Sequence, residues 1–379
     1  MIKGPVLSLL IAVACSCGYG QRGDTIWNQL GPFFSPPEQF RYQYADYKSP
    51  LRFDDGRLVK NKKDWPGRRR EIRKNWMELM GPWPELITQP RFTLLDSTVR
   101  ANFIQYKIRF YWRPDEETNG YLLVPLKKGK KPAVITVFYE PETAIGLKKP
   151  FVDFAYQLAK RGFVTLSIGT PAVSRQRPFA QYYPDYEQAS LQPLSMLAYL
   201  SANAWYLLSK NPDVDSTRIG IIGHSYGSKW AMFSSCLFDR FACAVWSDGG
   251  IVFDSTRPNV NYWDPWYLGY AAPSARDSLG PLGPHGGRGL YPKLIAGGHD
   301  LQELHALMAP RPFLVSGGSE DAVTRWIPLN QAIAVNKLLG YSNRVGMTNR
   351  REHAPDADSN EKVFLFFEYF LQGDGLQQR

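Results

Sequence analysis

Cysteine is scarce, with only Cys15, Cys17, Cys236 and Cys243 in 379 residues. The first two fall in an N-terminal stretch that reads as a leader, so a scaffold stapled by several disulfides is excluded. Cys236 and Cys243 are expected to be buried free thiols. Histidine is also sparse, at five residues, and no cysteine or histidine cluster has zinc spacing, so no metal is implied. No apolar run approaches the roughly 20 residues needed to span a bilayer. Acidic residues number 35 against 45 basic ones, a formal net charge of +10. No zinc finger, RNA-recognition signature or interleaved basic and aromatic motif accompanies that excess, so nucleic acid is not the implied partner. Internal repeats and low-complexity segments are absent as well, and a hydrophobic content of 44% is ample for a large core.

What is present begins with Met1-Ile2-Lys3 and an apolar run from Gly4 to Cys15. A charged start and a short apolar stretch make residues 1–20 a signal peptide, with cleavage after Gly20. The chain is therefore expected to be exported, either periplasmic or secreted. Lipidation of Cys15 or Cys17 is the rival reading and would add a lipid anchor. Removing residues 1–20 takes away Lys3 alone among the charged residues, which leaves +9. Part of the excess is concentrated in Arg57 to Lys74, which includes Lys60, Lys62, Lys63, Arg68, Arg69, Arg70 and Arg73. That run reads as a solvated helix face. The sharper alternative is attraction to a polyanion, for which an acidic polysaccharide suits an exported protein.

Residues 21–100 read as an N-terminal extension packed on a catalytic domain spanning 101–379, with one helix over Arg68–Met80 that ends at Gly81-Pro82. Strands are predicted at Phe103–Phe110, Tyr121–Pro125, Ala133–Phe138, Phe163–Ile168, Ala242–Trp246, Phe313–Ser316 and Asn343–Met347. Helices over Phe151–Arg161, Leu191–Lys210, Trp326–Leu339 and Glu361–Leu371 alternate with them. Such alternation predicts an α/β fold, a mostly parallel central sheet with helices on both faces. Two long loops, 170–190 and 248–310, follow strand C-termini, the edge where open α/β sheets bind ligands. Their aromatics, Tyr182, Tyr183, Trp263 and Trp266 foremost, suit stacking on sugar rings; the alternative is that they simply pack the loops onto the body.

Residues 218–231 form a buried strand, a Gly-x-Ser-x-Gly turn and a helix, the setting of a nucleophile elbow with Ser225 at its apex. Gly223 and Gly227 flank a backbone that must turn sharply, where a Cβ would collide with a neighbour. A serine hydroxyl is a poor nucleophile at neutral pH, so a base and an orienting carboxylate are required. Of the five histidines, His224 lies inside the elbow and points away from Ser225, His285 lies in a Gly-rich loop, and His299 and His305 precede the strand at Phe313. His353, between the last strand and the last helix, has the position of the base. Asp321, in Gly-Gly-Ser-Glu-Asp after the Phe313 strand, is the favoured acid; Glu320 beside it and Asp248 after the Ala242 strand are the alternatives. The oxyanion hole is assigned to the N–H of Tyr226 and to that of Tyr139 or Glu140, in the loop after Phe138.

These residues resemble the α/β-hydrolase superfamily over about residues 102–375. The block from His299-Asp300 to Ala309-Pro-Arg-Pro-Phe313 is similar to that before the acid in bacterial acetyl xylan esterases, glucuronoyl esterases and prolyl-oligopeptidase-like hydrolases. The resemblance implies a serine esterase without a cofactor. Glucuronoyl esterases carry an arginine directly after the nucleophile; Tyr226 stands there, which weighs against uronate ester cleavage. Ser225 likewise argues against dienelactone hydrolases, which use a cysteine. The expected activity is hydrolysis of carboxylic esters, acyl esters on a polysaccharide or small carbohydrate above all. A peptidase or general carboxylesterase on the same residues, and a catalytically silent carbohydrate-binding protein, are the alternatives.

Overall fold

The computed structural model describes residues 23–171, 181–271 and 287–378. The leader with Cys15 and Cys17, His285, and parts of both aromatic loops lie outside the described residues. The chain enters through helix α1, residues 23–30. Helix α2, Trp65–Met80, has a proline in its first turn and ends at Gly81, whose φ of 92° no L side chain tolerates well. Its buried residues Trp65, Arg68, Ile72, Trp76 and Met80 recur every three or four positions, so one stripe faces the core.

Nine strands follow in a single sheet of order β1-β2-β3-β5-β4-β6-β7-β8-β9. The first three, β1 (Phe92–Arg100), β2 (Phe103–Arg113) and β3 (Glu116–Pro125), form an antiparallel meander. Beyond them β5 (Val164–Ile168), β4 (Lys131–Val137), β6 (Val214–His224), β7 (Cys243–Ser247), β8 (Phe313–Gly317) and β9 (Val345–Asn349) run parallel. The intervening helices are α3 (Pro141–Ala144), α4 (Phe154–Lys160), α5 (Pro193–Ser209), α6 (Tyr226–Leu237), α7 (Leu290–Ala296), α8 (Gln302–Leu307), α9 (Trp326–Leu339) and α10 (Ala357–Phe367).

The parallel strands are apolar throughout because both faces are covered. Ile219 and Ile221, Ala244 and Trp246, and Phe313 and Val315 join a core shared with α2, α5, α6, α8 and α9. Their alternates Ile222, Val245 and Leu314 join a second core shared with α1 and α10. This is the period-two pattern of a sheet between two helical layers. Cys236 and Cys243 are free and buried.

Several local readings change: helices α7 and α8 lie within the predicted loop 248–310, β9 is shifted two residues onward, and α10 begins four residues before the predicted start. Strand β1 lies where no strand was predicted, and nearly all of it is exposed. The α2 helix begins three residues before the predicted start, at Trp65. The basic run is only partly a solvated face: Arg68 is buried and pairs with Asp54 at 2.7 Å and with Glu71, while Arg69 donates to Leu307 O and Arg73 to Asp239.

Candidate active site

Six parallel strands end at one edge of the sheet, and three of those ends converge. Ser225 follows β6 and caps α6 with φ 56° and ψ −116°, a left-handed conformation unusual for a residue with a Cβ. The neighbours enforce it. A Cβ on Gly223 would lie 2.1 Å from Gly227 O, and one on Gly227 would lie 2.1 Å from Val137 O at the end of β4. The Ser225 N–H donates to Ser247 O at 2.8 Å, which ties the turn to β7.

His353, after β9, places Nε2 2.9 Å from Ser225 Oγ. Its Nδ1 lies 2.7 Å from Oδ2 of Asp248 at the end of β7. The carboxylate that meets the imidazole is therefore Asp248, and the expectation of Asp321 is corrected. The reason lies in how the two strand-end loops interlock. Asp321 has both oxygens occupied across the gap, Oδ2 by Gly250 N–H at 2.9 Å and Oδ1 by Ile251 N–H at 2.7 Å. Asp248 accepts from Gly318 N–H at 2.6 Å and Asp321 N–H at 2.9 Å with Oδ1, while Oδ2, which meets the Glu320 N–H only at 3.3 Å, turns to the ring. Asp248 also has positive φ, 51°. Glu320 turns elsewhere and accepts from Asn259 Nδ2 at 3.0 Å.

The electrostatics follow the same split. Burial pushes the Asp248 carboxyl up, but the His353 hydrogen bond, the Asp321 N–H and the Arg350 guanidinium outweigh it and hold the group below the ordinary carboxylate range. Burial and the adjacent Asp248 charge raise Asp321 to about 6. His224 lies under the site, its ring 4.7 Å from that of His353 and its Nδ1 3.1 Å from Ser247 O. Burial and the nearby His353 lower it to about 3, so it stays neutral.

The Tyr226 N–H is at the first position of α6, where helix geometry leaves backbone donors without an intrahelical partner. Tyr139 follows β4, and its ring stacks on that of Tyr226 with centroids 4.5 Å apart and planes 15° apart. This stack sets the side chains of two of the residues assigned to the oxyanion hole side by side. The Glu140 side chain is engaged with Thr143 Oγ1 at 3.0 Å and Lys148 at 3.4 Å, so only its backbone is available. Among the aromatics expected to bind substrate, Tyr182 clusters with Tyr186 and Tyr270, and Tyr183 lies under Arg113. Trp263 is buried edge-on against Tyr291, and Trp266 abuts Tyr267, which in turn contacts Tyr226. Packing is thus the role visible for Tyr182, Tyr183 and Trp263, whereas Trp266 is linked through Tyr267 to the elbow.

Two residues escaped the sequence reading. Arg350 is nine-tenths buried and donates to Ser316 O, to Ala354 O at 2.9 Å and to His353 O at 2.6 Å, clamping the histidine loop onto β8. Lys229 is buried on α6, donates to Gly249 O and lies 4.7 Å from the Tyr262 ring, which pins the elbow helix to the Asp248 loop. Burial lowers its ammonium to about 8. Its place one helical turn after Ser225 was the available signal.

No protein-family model matches the chain, and no curated protein matches it in sequence. Solved structures do resemble it. A glucuronoyl esterase from Solibacter usitatus superposes with a TM-score of 0.65 at 16% identity, over 88% of this chain and 99% of that one. A glucuronoyl esterase from Teredinibacter turnerae gives 0.63 at 15% identity, covering 93% and 100%. One from Sporotrichum thermophile, solved with methyl 4-O-methyl-beta-D-glucopyranuronate, gives 0.58 at 16% identity, covering 89% and 91%. The likeness spans nearly the whole of both chains, and the fold is that of the α/β-hydrolases.

Proposed function

We propose that the protein is a serine esterase acting on carboxylic esters of carbohydrates. The observation that carries this reading is the unbroken chain from Ser225 Oγ through His353 to Asp248, at 2.9 and 2.7 Å. Ser225 Oγ attacks the ester carbonyl while His353 Nε2 takes its proton. Asp248 holds the ring with Nδ1 protonated and stabilises the imidazolium that forms. The tetrahedral oxyanion is held by the N–H of Tyr226 and of Tyr139 or Glu140. Collapse expels the alcohol, which takes the proton from His353, and leaves an acyl-enzyme. Water, activated by the same imidazole, then releases the acid.

Carbohydrate is favoured because the solved structures named above are glucuronoyl esterases and share nearly the whole chain. A simple acyl ester is favoured over a uronate ester because the residue after the nucleophile is Tyr226, whose ring is buried between Tyr139 and Tyr267 and carries no charge. Export, by the leader at residues 1–20, would put such an enzyme where polysaccharide is met.

The test is intact mass after incubation with a fluorophosphonate, followed by release of acetate from acetylated xylan and of alcohol from methyl glucuronate esters. A single adduct is expected on the wild type and none on Ser225→Ala, with acetate the faster product. No adduct on either protein would point to a silent carbohydrate-binding protein. Faster turnover of the glucuronate ester would overturn the assignment of acyl group while leaving the serine chemistry intact.

A further inference from the structure

Asp248 and Asp321 put two buried carboxyl groups at the ends of adjacent strands, an arrangement that disfavours charge on both unless cations stand near. Three cations face them from three elements. Lys229, on α6, spends its ammonium on Gly249 O. Arg325, just before α9, lies 3.9 Å from Asp321 Oδ1 but is bound to Asp254 at 2.6 Å. Arg350, directly after β9, is the third, and among the described residues none of its side-chain donors goes to a carboxylate. Its Nη1 reaches Ser316 O at 2.8 Å and Gly317 O at 3.3 Å, Nε reaches Ala354 O at 2.9 Å, and Nη2 reaches His353 O at 2.6 Å. Around these groups stand Glu320, held by Asn259, Asp356, held by the Ser359 N–H at 2.7 Å, and the neutral His224.

A buried guanidinium without a carboxylate costs free energy, so its place calls for a physical reason. The loop that Arg350 opens carries His353 across the end of β8 at backbone contact: a Cβ on Gly318 would lie 2.3 Å from Glu352 O and 2.7 Å from Asp248 Oδ2. Arg350 bonds the carbonyls of His353 and Ala354 on one side and those of β8 on the other, which ties the loop bearing the base to the strand end whose N–H groups hold Asp248. A planar fork presents several nitrogens in fixed directions for this, where a lysine would present one. The charge acts too. Burial pushes the Asp248 carboxyl up, and the Arg350 guanidinium is among the groups that more than reverse it. Arg351, the next residue, has a side chain 95% exposed.

Building on the esterase reading, we propose that Arg350 is a positioning residue for the reaction at Ser225: its fork holds the His353 imidazole in line between Ser225 Oγ and Asp248, and its charge is the standing counter-charge of the two buried acids. Fork and charge separate by substitution. Arg350→Lys keeps the charge and loses the fork, whereas Arg350→Met loses both.

The test compares wild type, Arg350→Lys, Arg350→Met and, as a surface control, Arg351→Gln in steady-state hydrolysis of an aryl acetate across pH, with thermal midpoints on the same samples. Arg350→Met should lower kcat by about 100-fold while KM stays within about threefold, because the guanidinium is buried behind the base and its loss misplaces the imidazole. Removing a positive charge lets the neighbouring groups bind protons more readily, so the acid limb of kcat/KM should move upward by about 1 in pH. Arg350→Lys should lower kcat by about tenfold and keep the acid limb of the wild type. Arg351→Gln should match the wild type in both. A Met variant with wild-type kcat, a Lys variant whose acid limb moves, or a loss carried by KM alone would overturn the proposal. If the Met variant fails to fold, the Lys variant carries the test, and wild-type kcat there overturns it equally. Proton NMR reads the same clamp without turnover: the low-field resonance of an imidazole N–H held to a carboxylate should be present in wild type and the Lys variant and lost in the Met variant. That pattern in a protein that takes no fluorophosphonate would sink the esterase reading and still support the clamp, whereas a Met variant that keeps the resonance would overturn the clamp whatever the activity.

Discussion

Asp248 and Asp321 stand at the ends of adjacent strands, and each is held by N–H groups of the other's loop. Three of the four oxygens meet a backbone N–H within 2.9 Å; the fourth, Asp248 Oδ2, has one only at 3.3 Å and is the oxygen that meets the imidazole. Asp248→Asn should therefore lower kcat on an aryl acetate by about 10⁴-fold, because an amide cannot hold the required tautomer. Asp321→Asn should cost far less, about tenfold or under, since the asparagine amide keeps one of the two N–H acceptors and reaches His353 only through Asp248. Equal losses in the two variants would return Asp321 to the site.

Strand-to-helix passage through the elbow depends on two glycines at contact distance from backbone. Gly227→Ala would drive its Cβ into Val137 O, which is main chain and has no rotamer to escape to. The expected cost is at or above the upper end of the ~1–3 kcal/mol typical of overpacking, read as a lower urea midpoint. An unchanged midpoint would mean that the elbow is looser than its contacts indicate. The N-terminal elements bear load in the same way. Phe34 packs against Phe370 and Phe366, and a Cβ on Gly346 of β9 would lie 2.8 Å from its ring. Phe34→Ala should lower stability by about 3–5 kcal/mol in chemical denaturation; a loss under about 1 kcal/mol would show that this segment merely covers the sheet.

Over the whole molecule, buried ionisable groups pull stability in opposite directions with pH. His224 and His305 are each lowered by burial to about 3. The unfolded chain binds their protons first, so their contribution is present above about 6.5 and is lost as pH falls toward 3. Asp300 and Asp321 are raised, chiefly by burial, to about 7 and about 6. Their contribution is present below about 4 and is lost as pH rises through those values. The two pairs nearly oppose one another between about pH 4 and 6, and single variants should expose each. Relative to wild type, His305→Leu should gain in thermal midpoint as pH is lowered from 7 to 4. Asp300→Asn, which keeps an acceptor for Phe253 and Leu301 N–H, should gain as pH is raised over the same range. A flat difference in either variant would mean that the group titrates normally in the folded state, and a reversed slope that its shift has the opposite sign.

What the sequence alone determined is what lies within a few residues. The elbow needs two glycines beside a serine and is visible as a strand, a turn and a helix; the apolar runs of β6, β7 and β8 were legible in the same way, whereas their order in the sheet was not. The serine and its histidine were legible for that reason. Tertiary structure decided the rest. The choice between Asp248 and Asp321 rests on contacts about 70 residues apart and on a positive φ at 248, and the pairing with His353 spans 105 residues. Strand β1 was invisible because it is exposed on nearly every residue and shows no alternation. Arg68 read as part of a solvated face, and Arg350 drew no reading at all, because the carboxylates and carbonyls that bury them come from distant parts of the chain. Spacing along the chain predicts a group's local geometry, but its partner depends on which strand ends the sheet brings together.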